Sequence, residues 1–202
     1  MTSVKKEGTA LIAVDVQNYV LHENRFGADW GSLSMQKRKI MIENTKKAIE
    51  KARAAGIPVI HTIMNIRLEV LPDMGLWKTA KHMEFATTKP EKREFEFGIV
   101  EEFTPQPEDI VVIKYNTLDA FHNTDLDQIL KGLKCDTLLL TGVATNLCFE
   151  ITFRSAFNRG YKCVVLSDCT ASINEEFQKF AVEGIFPMFG EVCTVDELEI
   201  VS

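Results

Sequence analysis

Apolar runs of strand length alternate along the chain with segments of helical periodicity. Residues 9–16 (TALIAVDV) are β-branched and apolar until Asp15 interrupts them, which predicts a strand buried on both faces and ending in a carboxylate. Met41, Ile42, Thr45, Ala48, Ile49 and Ala52 recur at helical spacing between positions 35 and 55, and Gly56 stands where a C-terminal cap belongs. Pro58 opens a second strand over 59–63. A third apolar run, 110–113, stops at Lys114, and 124–132 reads as a helix with Leu126, Ile129 and Leu130 on one face. Residues 137–140 form another buried strand, which the segment GVATNLC (142–148) turns into a helix running to Gly160. A strand over 163–166, a helix over 175–183 and a short strand over 191–195 complete the series. Residues 67–106 follow neither period and are read as loops and short helices.

Strands alternating with helices predict right-handed βαβ crossovers and an α/β fold whose mostly parallel sheet is covered on both faces. Ligands bind such sheets beyond the carboxyl ends of the strands. Asp15, Lys114 and the 142–148 turn all fall at that edge, so three reactive side-chain types are expected to converge there. A chain of 202 residues is read as one domain, 1–202.

Composition narrows the partners. A net charge of −6 disfavours nucleic acid, which requires a clustered basic surface, and the densest basic stretch (Lys37, Arg38, Lys39, Lys46, Lys47, Lys51) is interleaved with apolar and acidic residues as the wet face of a helix. No apolar run is long enough for a membrane span or a signal-peptide core, so a cytoplasmic protein without membrane partners is expected. The five cysteines are an odd number without a C-x-x-C pair, which indicates free thiols, one of them a candidate for reactivity.

Cys148 is that candidate. It follows a strand at the expected start of a helix, where the backbone dipole favours a thiolate, and Lys114 adds a positive charge. Asp15 would accept the thiol proton and return it to a departing amine, and the N–H groups of Ala144 and Cys148 would receive an oxyanion. Each residue also has an ordinary reading: a small core hydrophobe for the cysteine, a solvated strand end for the lysine, a cap or turn for the aspartate.

Taken together, D-x-Q at 15–17, the strand-end lysine in VIKYNTLDAF (112–121) and GVATNLC resemble the three signatures of isochorismatase-like cysteine hydrolases, in the expected order and over nearly the whole chain. The resemblance implies a Rossmann-like three-layer α/β/α sandwich with a six-stranded parallel sheet, assembled as a homodimer or homotetramer. It also implies Asp15, Lys114 and Cys148 as the catalytic triad and a non-proline cis peptide at Val143–Ala144.

Within that family, nicotinamidases carry a metal site of one Asp and two His after the second strand. Here that stretch reads HTIMNIR (61–67), without D-x-H, so no metal and no other cofactor is expected. The thiol points to acyl transfer on a small amide, N-carbamoyl or ureido compound. Two alternatives stay open, a vinyl-ether hydrolase of the isochorismatase type and a non-catalytic small-molecule-binding relative. An enzyme is expected to show one fast-reacting thiol of depressed pKa; a binding relative is not. Arg67 is the candidate for holding a substrate carboxylate or ureido oxygen, or else a loop charge. Phe121, Trp77, Phe149 and Tyr19 are candidate pocket walls or core residues. Gln17 and Asn116 are candidates for orienting the site, Gln17 also for touching substrate, or for building turns.

Overall fold

A computed structural model of the protein describes residues 1–22, 35–65 and 90–202. Six parallel strands form the main sheet: β2 (Thr9–Val14), β3 (Val59–Asn65), β4 (Ile110–Tyr115), β5 (Thr137–Val143), β6 (Lys162–Ala171) and β7 (Glu191–Cys193), in the order β4-β3-β2-β5-β6-β7. β1 (Thr2–Lys5) and β8 (Leu198–Val201) pair in parallel as a separate two-stranded sheet that the alternation of the sequence does not announce. Their short length and mixed exposure, with Val4 and Leu198 buried beside exposed Ser3 and Glu199, leave little periodic signal.

Burial explains the central strands. Every residue of β2 is buried, as its uninterrupted apolar run requires when both faces are covered. One face packs Leu11, Ala13, Val59, Leu139 and Val164 against Met41, Ala48, Ile49 and Ala52 of α2 (Met35–Ala54). The other packs Ile12, Ile60, Val112 and Leu140 against Leu126 and Leu130 of α4 (Leu126–Gly132) and Phe153 and Ala156 of α5 (Glu150–Asn158). Gly56 ends the long helix with φ 75°, a left-handed conformation that glycine adopts without strain. Two short helices, α1 (Asn18–Leu21) and α3 (Pro90–Phe97), follow β2 and precede β4, and α6 (Glu175–Lys179) follows β6. No helix of the described residues is long and apolar enough to cross a membrane.

The strand order reverses direction between β2 and β5, the first strand of each half of the sheet. That crevice is the topological switch point at which open parallel sheets bind ligands. Both strands end in it.

Candidate active site

Two backbone features bring the ends of β2 and β5 together. Gly142, near the end of β5, has φ 117°, and a Cβ there would lie 2.1 Å from the Val14 carbonyl oxygen and 2.6 Å from the Val14 nitrogen. Only glycine lets the turn after β5 approach the residue preceding Asp15 so closely. Asp15 itself sits at φ 51°, left-handed, which turns the chain out of the sheet directly after Val14, and its N–H donates to the Thr62 carbonyl at 2.8 Å.

Gln17 then completes the edge of β3. Its Nε2 donates to the carbonyls of Met64 (2.9 Å) and Phe97 (2.7 Å), and its Oε1 accepts the Met64 N–H at 2.8 Å. The amide thus replaces the strand partner that β3 loses where β2 ends, and it ties the end of β3 to α3. Both ends of its amide are engaged by backbone and its side chain is fully buried, so Gln17 braces the edge of the crevice.

Lys114 reaches the same crevice from within β4. It lies in the strand rather than after it, its Nζ donating to Asp15 Oδ2 and to the Leu118 carbonyl, each at 2.8 Å. Asp15 and Lys114 side chains are essentially inaccessible to water. Burial works against the charge of Lys114, but the carboxylate of Asp15 and the nearby sulfur of Cys148 outweigh it and leave the ammonium more firmly protonated than usual. Burial raises the proton affinity of Asp15, against the pull of Lys114.

Cys148 closes the group. The chain leaves β5 through a cis peptide at Val143–Ala144, the bond the sequence resemblance implies, and forms a wide π-type turn over Thr145–Phe149 before α5 begins. The chain leaves helical geometry at Leu147 (φ −129°, ψ −110°), directly before Cys148, and Phe149 is already helical (φ −64°, ψ −54°), so Cys148 sits between that break and the start of α5. The apolar spacing stays helical across this break, so periodicity does not reveal it. The thiol is an electrostatic neighbour of the Asp15 carboxylate and of Lys114. Asp15 Oδ1 has no partner of regular hydrogen-bond geometry.

The electrostatics correct one expectation. Burial pushes the Cys148 thiol well above its usual pKa; Lys114 pulls it down, while Asp15 pushes it further up. In the resting protein one ammonium balances one carboxylate, and a thiolate would add an uncompensated buried charge. Burial and the Asp15 carboxylate thus both favour the protonated thiol, against the pull of Lys114.

Other sequence candidates divide. Tyr19, on α1, is near enough to Asp15 and Cys148 that burial first and then their charges raise its hydroxyl pKa, and its ring packs against Phe97 at 5.8 Å between centroids. Phe149 is core, packed on Phe186. The Phe121 ring stacks on Tyr161 at 5.8 Å and is covered by the Arg159 guanidinium at 4.8 Å. Arg159 follows the far end of α5, on the order of 15 Å along the helix axis from Cys148. Asn116 follows β4 with φ 53° and donates its N–H to the Asn65 carbonyl, a turn role. Arg67 and Trp77 lie outside the described residues. Among the described residues no group of three or more His, Cys, Asp or Glu is placed to hold a metal ion.

Residues that the sequence does not single out anchor the turn that carries Cys148. Thr145 bonds to Thr170 and Gln178, and Ser172 donates to Asn146 Oδ1 at 2.5 Å. On the Lys114 side, Thr152 Oγ1 accepts the Ala120 N–H at 3.1 Å and Ser155 donates to Asp119 at 2.7 Å, pinning to α5 the loop that carries the Leu118 carbonyl. Thr145 stands inside the quoted GVATNLC motif; its partners carry no local signal.

Residues 9–197 match the family model described as the Isochorismatase domain. The chain belongs to the isochorismatase family. Among relatives in this family, the ureidoacrylate amidohydrolase RutB of Agrobacterium fabrum is 31% identical, covering 96% of this chain and 90% of that protein. The protein of the same name from Pantoea ananatis is 35% identical, covering 93% and 79%. A cysteine hydrolase structure from Pseudomonas syringae pv. phaseolicola superposes with a TM-score of 0.82 at 27% identity, covering 98% of this chain and 93% of that one. The N-carbamoylsarcosine amidase of Thermoplasma acidophilum, 24% identical with a TM-score of 0.73 over 97% of this chain and 99% of that one, shares the fold.

Proposed function

We propose that this isochorismatase-family chain, acting as a single hydrolase domain over 1–202, cleaves the C–N bond of a small ureido or carbamoyl compound through a covalent intermediate on Cys148. The observation that carries the reading is the buried Lys114–Asp15 pair, 2.8 Å apart, beside the Cys148 thiol at the switch point of the sheet. Asp15 takes the thiol proton as sulfur attacks the carbonyl, and Lys114 stabilises the thiolate as it forms. The N–H groups of Ala144 and Cys148 receive the developing oxyanion. Asp15 returns its proton to the leaving nitrogen, so R–NH–CO–NH2 and Cys–SH give R–NH2 and Cys–S–CO–NH2. Water, deprotonated by the same carboxylate, then releases carbamic acid and restores the thiol.

The relatives' identity of 31–35% over nearly the whole chain supports a ureido substrate, since those proteins carry the name ureidoacrylate amidohydrolase. The five free cysteines suit a reducing cytoplasm. Exposed Ile151, Phe180 and Met188 offer apolar surface for assembly into a homodimer or homotetramer.

Ammonia release from ureidoacrylate analogues, N-carbamoyl amino acids, biuret, maleamate and nicotinamide tests the substrate class, with turnover expected on the ureido or carbamoyl members. Cys148→Ala is expected to fold and to lose at least about 10³-fold in kcat. A carbamoyl adduct is expected on the Cys148 peptide when a slow substrate is trapped. Retained turnover in Cys148→Ala, or turnover of a vinyl ether with none of the amides, would sink the proposal.

A further inference from the structure

The turn that carries the nucleophile is held by a closed ring of hydrogen bonds whose direction can be read from chemistry. Gln178 Nε2 donates to the Thr170 carbonyl at 3.3 Å, so its other amide atom, Oε1, faces Thr145 and can only accept. The Thr145 hydroxyl therefore donates to Oε1 at 2.7 Å. Its single proton is then spent, and the Thr170 hydroxyl, 2.7 Å away, must donate to Thr145 Oγ1. Each donor in the ring has one acceptor. Thr145 is fully buried and Thr170 nearly so, and a partly satisfied version of this ring would leave a polar atom dry.

The ring meets the reaction through the backbone. Thr170 is the register partner of Gly142 across β5 and β6, and Ala171 that of Val143. The Ala144 carbonyl accepts from Leu147 N–H at 2.9 Å and Phe149 N–H at 3.2 Å. Ala144 is thus gripped on its carbonyl side by the turn and, through the next residue's hydroxyl, by β6 and α6. The Ala144 N–H thus lies between two held neighbours, Val143 paired to β6 and Thr145 in the ring, which limits how far it can turn.

We infer that Thr145, Thr170 and Gln178 are positioning residues that aim the Ala144 N–H at the oxyanion, with Gln178 of α6 closing the ring from outside the site. The inference rests on the reading of Cys148 as an acylated nucleophile. Gln178 and Thr170 also line a cavity of about 540 Å³ beside Ser172, Asp168 and Lys37, so water can reach the ring when the glutamine is shortened or replaced. Gln178→Met is therefore expected to fold even if Thr145→Val does not.

The test compares two reactions of Cys148 in the full-length protein. Acylation by p-nitrophenyl acetate passes through a tetrahedral oxyanion; alkylation by iodoacetamide does not. Thr145→Val and Gln178→Met are expected to slow acylation by about tenfold to a hundredfold, the scale of a misplaced catalytic group. Alkylation should change less than about twofold, since neither variant touches the charges around sulfur. Thr145→Ser keeps the hydroxyl and is expected to restore most of the acylation rate. Acylation unchanged in Gln178→Met, or both reactions slowed alike, overturns the inference. A wild-type protein that p-nitrophenyl acetate fails to acylate overturns the nucleophile reading, and the inference with it.

Discussion

Lys114 Nζ lies 2.8 Å from Asp15 Oδ2, with both side chains sealed from solvent although 99 residues separate them in the chain. Removing one member of such a pair leaves the other as an unpaired buried charge, typically at a cost of about 3–5 kcal/mol. Lys114→Met is expected to lose stability on that scale. Adding Asp15→Asn should recover a large part of the loss, because the charge left behind is gone. Denaturant unfolding of the two single variants and the double variant measures this coupling, and strictly additive losses would show that the pair does not interact.

Asp15 raises the pKa of the Cys148 thiol while Lys114 lowers it, so neutralising the carboxylate tilts the balance toward thiolate. Asp15→Asn is expected to lose amide turnover yet to be alkylated at Cys148 faster than wild type near pH 7.5. Slower alkylation in this variant would contradict the charge arrangement. In the wild type the raised proton affinity of Asp15 shifts the acid limb of kcat/KM, so activity should fall with falling pH from above the ordinary carboxylate value of about 4.

A Cβ on Gly142 would overlap Val14 backbone, which cannot move aside as a flexible side chain can. Gly142→Ala is expected to destabilise the protein by several kcal/mol, on the order of 3, or to prevent folding. Ala at Gly56, which also has positive φ but meets no atom within 4 Å, should cost only about 1 kcal/mol. Similar melting temperatures for the two variants would refute the close-approach account.

His61 is buried on β3 with its Nε2 3.4 Å from Asp109, which also pairs with Arg53. Burial lowers its pKa, Asp109 opposing and Arg53 assisting. A folded-state pKa below the unfolded one means that the unfolded chain binds the proton first. The stability linked to neutral His61 is therefore present above about pH 6.5 and lost as pH falls toward the lower folded value. Urea midpoints between pH 7 and 5 should decline in the wild type and flatten in His61→Phe; equal slopes would remove His61 as the cause.

Much of this architecture is legible in the apolar pattern. β2, α2 and β5 announce themselves because burial on both faces, or on one stripe of a long helix, imposes a sustained period. The polar residues that interrupt those runs, Asp15 and Lys114, mark the sheet edge for the same reason. The turn after Val143 is not legible in detail, since Cys148 keeps helical spacing while the backbone is widened around Leu147. Nor is the thiol's protonation, which depends on how deeply Asp15, Lys114 and Cys148 are buried together. Phe121 shows the limit of composition: an aromatic after a strand end suits a pocket wall, but its stack on Tyr161 and its cover by Arg159 carry no local signal. Gln17 reads as a site residue from its neighbour Asp15, but its partners are backbone groups 47 and 80 residues away.

β2 belongs to the first half of the sheet and β5 opens the second, with Asp15 at the tip of one and the sulfur-bearing turn at the tip of the other. Neither half alone holds Asp15, Lys114 and Cys148 together. Recovered enzymatic turnover after denaturation would therefore report the moment at which the two halves join, and a nick between them that lets them drift apart would silence the protein while leaving most of its secondary structure in place.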